Sequence, residues 1–215
     1  MERVRPEDGT KVHRSCISFH AGACLRGKTP LHEALRSAAD ARYQTLRACE
    51  RSVEDAEDAR QRTWAEVVAA EGDFENVVRD IDAELGALDR ADASLNARRS
   101  VFPDGFGQTL KPEGEDQLDV LPGLRKRLQP FQALPSVAPI LTRLDTAEAD
   151  LRTAVDADKV ARALIETRKL EEEAAKQGVR EQLESAYGQL RSHYKARPAL
   201  AERFFQKNPR GRKKA

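Results

Sequence analysis

The 215-residue sequence predicts an all-α protein, a long antiparallel helical hairpin of coiled-coil type with a short irregular tip, and three observations point there. Leu46, Val53, Val67, Phe74, Ile81, Leu88 and Leu95 recur at strict spacings of seven, with Arg60 the one interruption. Such a repeat keeps one seam of a helix turned toward one partner. Charged residues make up 34% of the chain and aromatic residues only 5%, which suits a narrow apolar stripe better than a broad core. Two helix-compatible arms of equal length, 31–100 and 137–206, flank a joint rich in proline and glycine.

Residues 1–29 read as a flexible leader, with Gly9, Gly22 and Gly27 and no sustained periodicity. Thr29 then offers an N-cap and Pro30 a first helical residue with φ already set. The first arm runs from Leu31 to about Ser100 without proline. Gly72 and Gly86 each cost about 1 kcal/mol relative to alanine, but both lie off the seam. At Val101 the pattern stops. The Pro103–Asp104–Gly105 sequence has the chemistry of a turn. Pro112, Pro122, Pro130 and Pro135 break up the stretch from there to the second arm, while Leu118, Leu121, Leu124 and Leu128 keep a helical stripe for one or two short pieces. The second arm carries Leu141, Leu144, Leu151, Val155, Ile165, Val179, Leu183 and Leu190. Pro139 is tolerable in its first turn, and Pro198 ends or kinks it, leaving a short extension to Phe205.

Folding equal arms together pairs residues whose numbers sum to about 236, such as Leu46 with Leu190 and Ile81 with Val155. Arm length sets this register, because two seven-residue series match equally well at any shift of seven. The alternative fold is a four-helix bundle with reversals near Gly72 and Gly178. Trp64, Val68 and Val78 lie off the narrow seam, and covering them favours a homodimer.

The net charge of +1 conceals an uneven distribution. Residues 1–28 hold six Lys/Arg against three Asp/Glu, and residues 207–215 hold five Lys/Arg and no acid, which leaves −7 on the body between. The basic tail (Lys207, Arg210, Arg212, Lys213, Lys214) has the composition for salt-sensitive binding to nucleic acid or another anionic partner, although no aromatic residue interleaves with it. No stretch approaches the roughly 20 apolar residues of a membrane span. The first residues lack the apolar core of a secretory signal, and three cysteines do not make a disulfide framework. A cytoplasmic protein is expected.

Signals for catalysis are weak. His13, Cys16, His20 and Cys24 are zinc-ligand types, but spacings of three, four and four set them along one helix face, where four ligands cannot surround one ion. No metal or other cofactor is therefore expected. Glu-x-x-His pairs and glycine-rich phosphate loops are absent. Cys49 falls on the apolar seam, as a small buried residue does. Phe102, Phe106 and Phe131 gather in the tip, where they either close the end of the hairpin or form a partner-binding knob. The functional expectation is a non-enzymatic scaffold, spacer or adaptor acting through protein–protein interaction, with a nucleic-acid-associated protein anchored by its basic tail as the alternative.

Overall fold

The computed structural model describes residues 4–207. Helix accounts for 80% of the described residues, and no strand occurs among them. The elements in order are α1 (Thr10–Cys24), α2 (Pro30–Ala91), α3 (Ala97–Val101), α4 (Phe106–Thr109), α5 (Glu115–Leu128), a 3₁₀ turn (Gln129–Phe131), α6 (Ala138–His193) and α7 (Ala199–Glu202). The long helices α2 and α6 pack together as a helical hairpin. Neither reverses at Gly72 or Gly178, so the four-helix alternative does not occur.

Two compact units make up the chain, and α2 and α6 each run through both. The terminal unit is Met1–Glu57 with Leu164–Ala215, and the central unit is Asp58–Ala163.

In the central unit the seam behaves as the seven-residue repeat requires. Val67, Phe74 and Ile81 are buried with Val77, Val78 and Leu85. From α6 come Leu144, Leu151 and Val155, and from α5 come Leu121, Leu124 and Leu128, all in the same core. Each such side chain contributes about 1.5–3 kcal/mol by leaving water. The leucine stripe of the tip is therefore a third layer of this core. Val78, one of three residues whose exposure argued for a dimer, is fully buried there, whereas Trp64 and Val68 remain exposed.

The first arm ends at Ala91 rather than near Ser100. The Asp92 carboxylate accepts hydrogen bonds from the Ser94 N–H at 2.9 Å and hydroxyl at 2.6 Å. Asn96 comes next at φ 43°, a left-handed conformation that asparagine tolerates better than most residues. Leu95 continues the seven-residue series in sequence but lies beyond the helix, exposed. The arms are consequently unequal, 62 and 56 residues.

Unequal arms overturn the register expected from their length. Asp80 pairs with Arg143 at 2.7 Å, Thr63 donates to Asp158 at 3.3 Å, and Arg60 lies 3.5 Å from Asp158. These numbers sum to 223, 221 and 218, a shift of about two heptads from 236. A seven-residue repeat permits that shift without moving any apolar residue off the seam.

The terminal unit corrects the reading of residues 1–29 as a flexible leader. Residues 10–24 form α1, whose buried face is His13, Cys16, Ile17, His20, Ala21 and Cys24. That face packs with Leu35, Ala39 and Leu46 of α2, Val179, Leu183, Ala186 and Leu190 of α6, and Phe205. Arg14 reaches Glu50 on α2 at 2.6 Å, and the Thr10 hydroxyl donates to Glu172 on α6. The start of α2 matches expectation: Pro30 is its first residue, and the Thr29 carbonyl accepts from the Glu33 N–H at 3.2 Å. The Thr29 hydroxyl bonds the His32 ring at 2.6 Å. Gly27 lies so close to that ring that a methyl group in its place would overlap the imidazole.

Candidate functional site

The tip of the central unit is the most elaborated irregular region. After α2, the Asp89 carboxylate accepts from the backbone N–H groups of Ala97 at 2.5 Å and Arg98 at 3.0 Å, satisfying donors at the start of α3. The Arg98 guanidinium turns back onto Asp82, giving both Nε and Nη2 to its carboxylate. Asp82 is mostly buried, and its hydrogen bonds hold the Arg98 guanidinium protonated more firmly than usual. Arg127 of α5 donates from Nε to the Val101 carbonyl at 2.6 Å. Gly105 at φ 86° lets the chain turn into α4. Pinned from three sides, residues 96–106 border an open recess of about 550 Å³ lined by Arg98, Arg99, Phe102, Pro103 and Phe106 together with Asp82 and Asp89 of α2.

Of the three phenylalanines expected to matter, Phe102 and Phe131 are buried and serve the core. Phe106 is half-buried at its edge, in T-shaped contact with Phe102 at 6.5 Å. Phe102 and Phe131 thus belong to the core, and Phe106, which lines the recess with Phe102, is the more exposed of the three. Arg99 brings a charge there that sequence reasoning did not single out. Asp82 is paired with Arg98, Asp89 is a second acidic side chain of the lining whose partners are two neutral N–H groups, and Arg99 is exposed.

A second recess of the central unit, about 360 Å³, is lined by Trp64, Val67, Val155, Asp158, Lys159 and Arg162, among others. Its floor is already engaged. The Arg60 guanidinium lies over the Trp64 ring at 6.0 Å, Asp158 pairs with Arg162 at 2.6 Å, and Lys159 reaches Glu115 at 2.6 Å.

The histidines and cysteines of α1 do not converge on one point. His20 and Cys24 approach to 3.7 Å (Nε2 to Sγ), whereas His13 faces Arg180. Among the described residues no group of three side chains is placed to hold a metal. Burial pushes the Cys24 thiol up to about 11 and raises Cys49 as well, so neither offers a thiolate at neutral pH. Three of the four histidines are instead buried supports: His13, His20 and His32 expose 1% of their surface or less. His20 stacks on Phe205 at 4.9 Å, and His32 lies among His193, Tyr194 and Phe204.

Lys207 is exposed, and the rest of the basic tail (Arg210, Arg212, Lys213, Lys214) lies outside the described residues. No described helix is long and apolar enough to cross a membrane. Comparison with known proteins finds no matching family, no matching curated protein and no matching solved structure.

Proposed function

We propose that this protein is a non-catalytic helical scaffold or adaptor whose tip recess binds a partner protein. The supporting observation is the recess itself, a concavity of about 550 Å³ held open by side-chain bonds from Asp82, Asp89 and Arg127. A pre-formed pocket spares its partner the cost of ordering a loop. Phe106 and Pro103 supply apolar wall, and Arg99 a cation exposed to meet a carboxylate. The matching ligand is a peptide segment presenting an apolar side chain beside an acidic residue.

Arg99→Glu tests the reading, because an exposed arginine can be reversed with little effect on folding. Peptides selected from a displayed library on the wild-type protein should be rich in apolar–acidic pairs. Their affinity should fall about tenfold or more on the variant, with an unchanged melting temperature. Selected peptides that ignore the reversal would remove the tip from consideration.

Self-association belongs to the same reading. Trp64 and Val68 are neighbours one turn apart on α2 and keep 36% and 50% of their surface exposed. A face of this kind, covered by a second copy, makes a dimer at micromolar concentration. Light scattering that returned the 24.0 kDa monomer mass would exclude it.

A further inference from the structure

Every histidine of the chain lies in the terminal unit, and for two of them, His13 and His20, the hydrogen bonds leave little freedom about which nitrogen carries the proton. Nε2 of His13 lies 3.0 Å from Nη1 of Arg180, on α6. A guanidinium only donates, so this Nε2 must accept, and the ring hydrogen sits on Nδ1, which faces the Gly9 carbonyl at 3.2 Å. Both nitrogens are used by the neutral ring. A second proton on Nε2 would set two donors and two positive charges against each other. Among the other charged groups near this ring, Lys176 on α6 adds to the repulsion and Asp8, before α1, opposes it.

His20 has a related constraint. Its Nδ1 faces the Phe204 carbonyl at 3.1 Å and must donate to it. The ring lies flat on Phe205, and the Cys24 thiol, a poor acceptor, lies 3.7 Å from its Nε2. No charged group contributes to its titration, and burial is the main influence. His32 differs, since the Thr29 and Tyr194 hydroxyls at 2.6 and 3.1 Å can accept from a doubly protonated ring. Only burial and nearby His193 disfavour its charge.

We infer that α1 is an acid-released clasp, held on α2, α6 and the C-terminal segment by neutral His13 and His20 and freed when these rings take up protons. Burial lowers both rings from the ordinary value of 6.5. The released state therefore binds more protons than the clasped one below about pH 6.5, so the clasp is at full strength above that pH and weakens as pH falls. Each ring steepens release by up to about tenfold per pH unit, and two by up to about a hundredfold. Release uncovers Ile17, Cys16 and Ala21 together with the apolar faces of α2 and α6 that they cover.

Hydrogen exchange on the full chain, corrected for intrinsic rates, tests the clasp. Peptides from α1 should lose protection between about pH 7.5 and 5.5 while those from α5 keep theirs, since imidazoles titrate in that range. His13→Gln keeps an acceptor for Arg180 and should flatten the dependence by about one proton. Arg180→Gln removes the opposing charge without touching the core and should move release to lower pH. Should His13→Gln fail to fold, Arg180→Gln alone decides. Protection of α1 that ignores pH, that is lost equally in α5, or that falls at the same pH in Arg180→Gln overturns the inference.

Discussion

Phe74→Ala is expected to destabilise the central unit by about 3–5 kcal/mol, the usual cost of emptying a large aromatic site that neighbours cannot refill. Phe74 is fully buried and heads the largest side chains of the core, with Val78, Ile81, Leu85 and the α5 leucines in the same cluster. Leu95→Ala is the informative companion. Leu95 belongs to the same seven-residue series, yet it is 42% exposed and lies beyond the last residue of α2. Its truncation should cost about 0.5 kcal/mol or less, as for surface positions generally. Urea unfolding of both variants checks the pair. Comparable losses would mean that the seam runs through residue 95 and that α2 does not end at Ala91.

Asp158→Leu is expected to cost about 2–3 kcal/mol, and Arg60→Leu/Asp158→Leu markedly less than the single change. The Asp158 side chain is only 3% exposed. It is the acceptor for Thr63 and the counter-charge for Arg60 and Arg162, and leucine abandons all three. Removing one member of a buried ion pair typically costs about 3–5 kcal/mol, and the lower figure here reflects the solvent that Arg60 and Arg162 retain. Replacing both members with apolar residues of similar size is often neutral or stabilising. Arg60 Nε is buried and makes no hydrogen bond despite lying 3.5 Å from Asp158, so the pair is not optimised for strength. Equilibrium unfolding of the single and double variants decides. A double variant as unstable as the single would show that the charge pair itself holds the unit together.

That pair also explains why the register escaped sequence reasoning. Arg60 is the one interruption in the α2 series, and Asp158 stands in the α6 series three residues after Val155 and seven after Leu151. A polar residue on an apolar seam is best tolerated opposite a polar partner, and Arg60 meets Asp158 in this way. The α6 series holds a second polar position, Glu172, seven residues after Ile165. Matching Arg60 to Asp158 gives the observed alignment, whereas matching it to Glu172 gives a register close to the one expected from arm length. The exceptions to the pattern narrow the choice, and the tertiary structure makes it.

The first segment shows the converse. His13, Cys16, His20 and Cys24 at spacings of three, four and four, interleaved with Ile17 and Ala21, are the buried stripe of an amphipathic helix. Read by residue type they suggest ligands, and with three glycines nearby they suggest a leader. Histidine is ambiguous in sequence because its burial depends on whether acceptors and donors meet its two nitrogens. Here Gly9, Arg180 and Phe204 do so for His13 and His20, and two of those partners lie more than 160 residues away.

Helix content, the existence of two long arms, the joint between them and the leucine stripe of the tip all came from periodicity and from proline and glycine placement. These are local properties, set by steric and spacing rules that act over a few residues. The alignment of the arms, the docking of α1, the burial of Phe102 and Phe131 and the recess beside Phe106 arose from long-range contacts. A seven-residue repeat is indifferent to shifts of seven, and a side chain's polarity does not say whether a distant partner will satisfy it.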